Sequence, residues 1–445
     1  MVTDWQMAAA LGLLTGGLGV AALRIPLLAW VALAPLGVAM GTLPAGAAAL
    51  AGSVAGGVVV VPSFPTRPLR PLLALGTAVS ATSWGCVAAA VSAIWPEGAR
   101  AWAIPLVPIF AVVSLLPLRV AGAPRTATNP LARTQERWLP VVHIARLGSD
   151  LCVSFVLGTS AGIATLLMLG GPHGPSEFIA LALAILLLAV ALGFGRASYL
   201  RAMRRVSGCR TLKVAAVVCD GPASDGPPDA AWPLRSPEYA DVRATIERYA
   251  GPVSAAISAG ARVLVLPELA VRVDASRRAE WIEAVVRWTQ QQNVVIVAPY
   301  FDSERPVNEL VMVGPVGVLA RYEKQHPGPI EPKRRTRMRP GLARIDGTEA
   351  VSISTVICVD LDYGDLIRPV ARVGGLLAVP ANDWPGYEIL HHRAAVWSAV
   401  MGGTSVLRAT GHGISAAFDP AGRVIAEQSS LSDNGPVVLV TGVPV

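Results

Sequence analysis

The stretch Arg262-Val263-Leu264-Val265-Leu266-Pro267-Glu268 decides how the second half of this 445-residue chain is read. Four consecutive apolar residues are stopped by a proline and followed at once by a carboxylate. A run this short and this apolar, bounded by a turn residue, is expected to be a strand buried on both faces. Glu268 then stands where the strand leaves its sheet. Strand exits are where α/β folds place reactive side chains.

Outward from it the pattern recurs. Leu212–Val218 is a β-branched run ended by Asp220-Gly221-Pro222, and Asn293–Ala298 and Gly375–Val379 are two more short apolar runs. Val311–Tyr322 reads as a hairpin around Gly314-Pro315-Val316-Gly317, and Val351–Val359 as a further strand. Helical spacing marks Pro237–Gly260, with Val242, Ile246, Tyr249 and Val253 on one face, and Trp281–Gln291. Strands alternating with helices but including hairpins predict an α/β layered domain with a mixed sheet. Two more strand exits carry chemistry. Lys324 follows the hairpin in Arg321-Tyr322-Glu323-Lys324, and Cys358 closes the run Ile353-Ser354-Thr355-Val356-Ile357. A thiol is a weak nucleophile until a neighbouring carboxylate takes its proton. A nearby ammonium favours the thiolate and then the developing oxyanion. Glu268, Lys324 and Cys358 are therefore the candidate catalytic set, suited to covalent acyl transfer through a thioester.

The first half is built differently. The chain is 53% hydrophobic and only 15% charged, against about 25% charged in ordinary soluble domains. The deficit lies between Met1 and Gly195. Charge-free runs recur there: Trp5–Leu23, Ile25–Thr66 divided at Gly41-Thr42-Leu43-Pro44, Pro71–Pro96, Ala101–Leu118, Leu151–Ser176 and Phe178–Gly195. They predict an all-α membrane domain over residues 1–200 with about seven transmembrane helices, because lipid demands that each span satisfy its own backbone. Asp4 replaces the basic start of a cleavable signal peptide. Gly158-Thr159-Ser160-Ala161-Gly162 spells the GxSxG of serine hydrolases, but inside a span it is expected to serve helix packing.

Arginines follow the odd-numbered spans: Arg24; Arg67 and Arg70; Arg119, Arg125, Arg133, Arg137 and Arg146; then Arg196, Arg201, Arg204 and Arg205. By the positive-inside rule this puts the second half in the cytoplasm. The same arginines explain the net charge of +7 without nucleic acid, since no basic stripe is interleaved with aromatics. Cys86, Cys152, Cys209, Cys219 and Cys358 match neither a zinc ribbon nor a disulfide framework, so no metal is expected.

Leu266-Pro267-Glu268, Tyr322-x-Lys324 and Ile357-Cys358 resemble, in their chain order, the three signatures of the nitrilase (carbon–nitrogen hydrolase) superfamily. The resemblance covers residues 211–445. Asn382-Asp383-Trp384, His391, Arg393-Ala394, Arg408-Ala409-Thr410, Gly413-x-Ser415, Asp419 and Gly422 are similar to the apolipoprotein N-acyltransferase branch, which also has a block of membrane helices before this domain. Asn308 falls where the family has an asparagine ahead of the lysine hairpin.

The resemblance implies an α-β-β-α sandwich and no organic cofactor, with Glu268 as general base, Lys324 as oxyanion stabiliser and Cys358 as nucleophile. It implies a phospholipid acyl donor, a lipoprotein N-terminal amine as acceptor, and a domain on the outer face of the cell membrane, against the arginine pattern. Asp360 and Trp384 match positions at the family's substrate groove. After the lysine the branch reads Leu-Val-Pro-Phe-Gly-Glu, whereas this chain has His326-Pro327-Gly328-Pro329-Ile330-Glu331, where Glu331 stands for the second glutamate. Glu331, Asp360, Trp384 and Asn308 are thus the expected substrate-binding residues. Two other readings stay open: a membrane-tethered amidase or other acyltransferase using the same three residues, and a non-enzymatic membrane protein with a degenerate domain.

Overall fold

The computed structural model describes residues 3–61, 70–120, 123–125, 129–219, 241–290, 293–327, 341–345, 351–383, 387–431 and 435–445. The chain divides into two compact units, Met1–Leu200 and Arg201–Val445.

The first unit is helical throughout its described residues. Four segments there are long and apolar enough to cross a membrane: Ala74–Ile94, Arg100–Val120, Asp150–Met168 and Pro175–Gly208. The sequence reading expects about seven spans; four of the described segments reach that length and hydropathy. Trp5–Leu23 forms the helix Asp4–Ala21, but Asp4, Gln6 and four glycines dilute its hydropathy. The long run after Ile25 is cut twice. Pro26 opens a 3₁₀ turn, Pro26–Trp30, and Leu43-Pro44 separates the helices Ala34–Thr42 and Ala45–Val60. Both fall short of the roughly 20 residues a perpendicular span needs.

Small residues bring these helices together, as in membrane bundles generally. A Cβ on Gly12 would lie 2.6 Å from the Ala51 carbonyl oxygen, and one on Gly56 2.8 Å from that of Ser80. The GxSxG motif sits mid-helix in Asp150–Met168, where Gly158 abuts Pro108 and Gly162 abuts Ala103 of the helix Ala103–Val113. Its glycines serve close packing, and no strand precedes Ser160.

The second unit contains two sheets among its described residues. The strands are β1 (Thr211–Val218), β2 (Val263–Val265), β3 (Arg272–Val273), β4 (Val295–Asp302), β5 (Val307–Gly314), β6 (Gly317–Glu323), β7 (Gly341–Ile345), β8 (Val351–Thr355), β9 (Leu376–Asn382), β10 (Ser405–Gly411), β11 (Ile414–Phe418), β12 (Val424–Ser429) and β13 (Val437–Pro444). The first sheet runs β13-β1-β2-β4-β5-β6, with β3 beside β4, and the second β12-β11-β10-β9-β8-β7. β1, β2 and β4 are parallel at the centre of one; β8, β9 and β10 are parallel at the centre of the other. Antiparallel strands flank both.

Alternation along the strands explains the layers. Ala215 and Val217, Leu264 and Leu266, Ile296 and Ala298, and Val311 and Val313 share one core with Tyr249, Val253, Trp281 and Val285 of the helices Val242–Ser258 and Ala275–Gln290. The intervening Val214, Ala216, Val263, Val265, Val295, Val297 and Met312 are also buried, and the two sheets pack on each other. Helices Gly364–Val373 and Glu388–Gly402 pack on the second sheet. The α-β-β-α sandwich follows from strands that are apolar on both faces.

Gly375 immediately precedes β9, the parallel strand that reaches the site. Its φ is +82°, and a Cβ there would stand 2.2 Å from the Ser352 carbonyl oxygen. Gly375→Ala is expected to destabilise the chain by at least about 2 kcal/mol, through both the clash and the backbone conformation. The urea-denaturation midpoint measures it; an unchanged midpoint would contradict this packing.

Candidate active site

Glu268 lies just past β2, 4% exposed, where the backbone turns away from the sheet. Its amide donates to the Ala381 carbonyl at 3.2 Å, so the β2 exit is sewn to β9 of the other sheet. Its carboxylate takes three donors. Oε1 accepts from Lys324 Nζ at 2.7 Å and Asn308 Nδ2 at 2.7 Å, and Oε2 from the Asn382 amide at 3.0 Å.

Lys324 is the first residue after β6, and its amide donates to the Asn308 carbonyl at 2.9 Å. Turning the hairpin at Pro315-Val316, with Gly317 at φ +111°, sets the register that brings Lys324 beside Asn308. Lys324 is 7% exposed and Asn308 6%. A carboxylate and an ammonium so deeply buried persist only when paired and hydrogen-bonded. Asn308, expected to bind substrate, donates its side-chain amide to Glu268.

Cys358 heads a short 3₁₀ turn, Cys358–Asp362, three residues beyond the end of β8. The sequence reading had the strand continue to the cysteine; the extra residues let the chain bend so that Cys358 sits at φ +50°. Its thiol donates to the Asn382 carbonyl across 3.9 Å. Leu269, next to Glu268, and His412, whose Nδ1 is 3.2 Å from Asn382 Oδ1, have φ of +59° and +52°. Left-handed backbone costs a non-glycine residue about 1–3 kcal/mol and concentrates at functional sites. Here two such residues, Cys358 and His412, meet Asn382, and Leu269 follows the carboxylate that the Asn382 amide holds.

Burial pushes the Cys358 thiol well above its ordinary 9.0, and Glu268 pushes the same way while Lys324 pulls back. Desolvation dominates because a thiolate in this environment loses its water. The cysteine therefore rests as a thiol.

Asp360 is fully buried and turned toward the chain. Its Oδ2 accepts from the Tyr322 hydroxyl at 2.7 Å and the Gln325 amide at 3.0 Å. Its Oδ1 accepts from the His326 amide at 2.8 Å and faces His326 Nδ1 at 3.0 Å. Burial and the Asp360 charge push the Tyr322 phenol far up, which keeps it a donor. Asp360 thus ties both sides of Lys324 to the cysteine turn. Glu331 and Trp384 lie outside the described residues.

The sequence reading quoted Asn382, Asp383 and Arg408 without giving them a role. Asn382 supplies its backbone to both Glu268 and Cys358, and Asp383 next to it accepts two bonds from Arg408. A cation in the middle of an otherwise apolar strand, and an acid just past the end of another, are the signal that could have pointed to them.

Two outcomes follow. Alkylation of Cys358 by iodoacetamide is expected to keep accelerating as pH rises past 9.0, the ordinary value for a thiol, since the thiolate is scarce below its raised pKa. A plateau reached near neutrality would contradict the burial argument. Asp360→Ala removes a buried charged acceptor, so the Gln325 and His326 amides are expected to exchange with deuterium about ten times faster or more; unchanged protection would show that the tether holds nothing.

Residues 230–441 match the family model described as carbon-nitrogen hydrolase. No curated protein matches the chain. Among solved structures, an amidase from Nesterenkonia sp. is similar at 20% identity, over 52% of this chain and 90% of its own, with a TM-score of 0.41. A cysteine-to-alanine mutant of the Nesterenkonia AN1 amidase, described as from the nitrilase superfamily, has 19% identity over 52% and 90% at a TM-score of 0.41. A double mutant of that amidase in complex with acrylamide has 18% over 53% and 91%, also at 0.41. The family match runs from ahead of the Glu268 strand into the last strand, so the second unit carries a carbon–nitrogen hydrolase domain.

Proposed function

We propose that this chain transfers an acyl group through a thioester on Cys358, taking it from a phospholipid and delivering it to the N-terminal amine of a lipoprotein. The observation that carries the acyl-transfer chemistry is the convergence of Glu268 and Cys358 on the backbone of Asn382, with Lys324 held 2.7 Å from the carboxylate. The lipid donor is supported by the helices of membrane-spanning length in the same chain. The described residues contain no group of three or more metal-binding side chains, and the chemistry requires no metal.

In the first half-reaction Glu268 accepts the thiol proton as sulfur attacks the ester carbonyl. The oxyanion forms beside Lys324, whose ammonium holds the charge without being consumed. Collapse breaks the carbon–oxygen bond, and the departing lysophospholipid alkoxide takes the proton back from Glu268. In the second, the acceptor amine attacks the thioester and gives a proton to Glu268. Sulfur leaves and recovers a proton from that acid, so the enzyme returns to its starting state. Asn308 and the Asn382 amide fix the carboxylate for both proton transfers, and Asp360 keeps Lys324 in reach of the cysteine. Asp360 and Asn308 then act as positioning residues.

A second reading, an amidase or acyltransferase on another substrate, is favoured by the arginines following the odd-numbered spans and by the altered segment from His326 to Glu331. It uses the same three residues.

Purified chain given phospholipid labelled in its acyl group is expected to form a hydroxylamine-sensitive adduct that Cys358→Ser cannot form. Glu268→Gln is expected to slow adduct formation by about a hundredfold or more, the usual worth of a general base. Chase with a diacylglyceryl-cysteine peptide should move the label to the peptide amine. An adduct that persists in Cys358→Ser ends the thioester reading; a wild-type enzyme that ignores phospholipid but hydrolyses simple amides selects the second.

A further inference from the structure

Asn382 ends β9, and its two backbone polar groups meet the two groups that must exchange a proton. The N–H donates to Glu268 Oε2 at 3.0 Å and the carbonyl faces the Cys358 thiol at 3.9 Å. The orientation of this one residue therefore sets the geometry of base and nucleophile together. What holds it is the next residue. The Asp383 amide donates to the Gly411 carbonyl at 2.9 Å, fastening the ends of the parallel pair β9 and β10. The Asp383 carboxylate accepts from Arg408 Nη1 at 3.1 Å and Nη2 at 2.5 Å, and meets His391 Nδ1 at 2.9 Å. Arg408 is 2% exposed in mid-strand, where a cation is retained only against a matched anion. The hairpin after β10 is cut to fit this carboxylate: a Cβ on Gly413 would lie 2.4 Å from Asp383 Oδ2.

We infer that Asp383 and Arg408 form a positioning clamp for the reaction, fixing the Asn382 backbone between Glu268 and Cys358 and balancing the charge that the thiol experiences. The inference rests on Cys358 being the nucleophile. The charges of Glu268, Lys324, Asp383 and Arg408 act on Cys358; Asp383 also interacts with His391 and His392, and Arg408 with Asp362 and His392. Asp383 disfavours the thiolate and Arg408 favours it. Burial opposes the Asp383 charge, but Arg408 and His391 hold its carboxyl below the ordinary range, so the pair stays ionised.

A merely structural pair would loosen the domain in the same way whichever member was removed. A charge-balancing clamp would not. Arg408→Gln leaves the aspartate unmatched beside the thiol, and Asp383→Asn leaves the guanidinium unmatched. At mildly alkaline pH, Cys358 alkylation by iodoacetamide is expected to slow about tenfold in Arg408→Gln and to quicken in Asp383→Asn, a tenfold change corresponding to about one unit of thiol pKa. The p-nitrophenolate burst from p-nitrophenyl butyrate, which reads acyl-thioester formation, is expected to fall about a hundredfold in both, because base and nucleophile lose their common anchor. Circular dichroism identifies variants that fold. Opposite alkylation shifts with a reduced burst in both support the clamp; shifts of the same sign, or an undiminished burst in either folded variant, overturn it. Where a variant does not fold, the milder Arg408→Lys, which keeps the charge but loses the two-pronged geometry, is expected to keep wild-type alkylation and lose the burst, and retention of both overturns the clamp. Absence of a burst in the wild type counts against the acyl-transfer reading, whereas the alkylation comparison tests the charge balance by itself.

Discussion

A carboxylate and an ammonium 2.7 Å apart, both under a tenth exposed, form a costly arrangement that the rest of the second unit is organised to support. Removing two charges from water costs several kcal/mol each, and mutual attraction offsets this only when the remaining lone pairs are also satisfied. Glu268 meets that condition with a side-chain amide from β5 and a backbone amide from β9. Those donors come from different sheets. The pair can therefore exist only after both sheets have formed and packed, which ties the chemistry to the completed fold.

The cysteine is subject to the opposite pressure. Burial keeps it protonated, and the carboxylate beside it reinforces that. In the proposed reaction a resting thiol beside a carboxylate gives up its proton at the moment of attack, with a positive charge in place for the oxyanion. Lys324 lowers the cost of the thiolate, and burial still holds the sulfur protonated. The left-handed backbone at Leu269, Cys358 and His412 belongs to the same economy. Strain of this kind survives where surrounding structure over-determines it, and here Asn382 and Asp360 make the connections that do so.

Asp360 and Asp383 are two carboxylates near the cysteine, and neither faces it as a reacting group. Asp360 gathers Tyr322, Gln325 and His326, fixing the lysine strand to the cysteine turn. Asp383 gathers Arg408 and His391, fixing the end of β9. In each case the acid is buried, engaged by several donors and tied to the segments that carry Lys324 and Cys358 or the Asn382 backbone. The three acids differ by their partners: Glu268 is bonded to the lysine and to groups that leave it able to take a proton, the others to groups that hold them still.

The local signals in the sequence were strong. Four apolar residues ended by Pro267, a Gly-Pro-Val-Gly turn, and a β-branched run before Cys358 each specify their own backbone, because period and turn chemistry act over a few residues. They placed Glu268, Lys324 and Cys358 at strand exits and marked the α/β class. The helical first half was equally plain from its lack of charge, but its number of long segments was not, since Pro26, Leu43-Pro44 and the glycines of the first helix interrupt runs that composition alone reads as continuous. Which donors meet Glu268, that the Asn382 backbone joins base to thiol, and that Asp360 and Asp383 turn inward are decided by contacts between residues 24 to 114 positions apart. Such contacts depend on how two sheets pack, and no local pattern encodes that register.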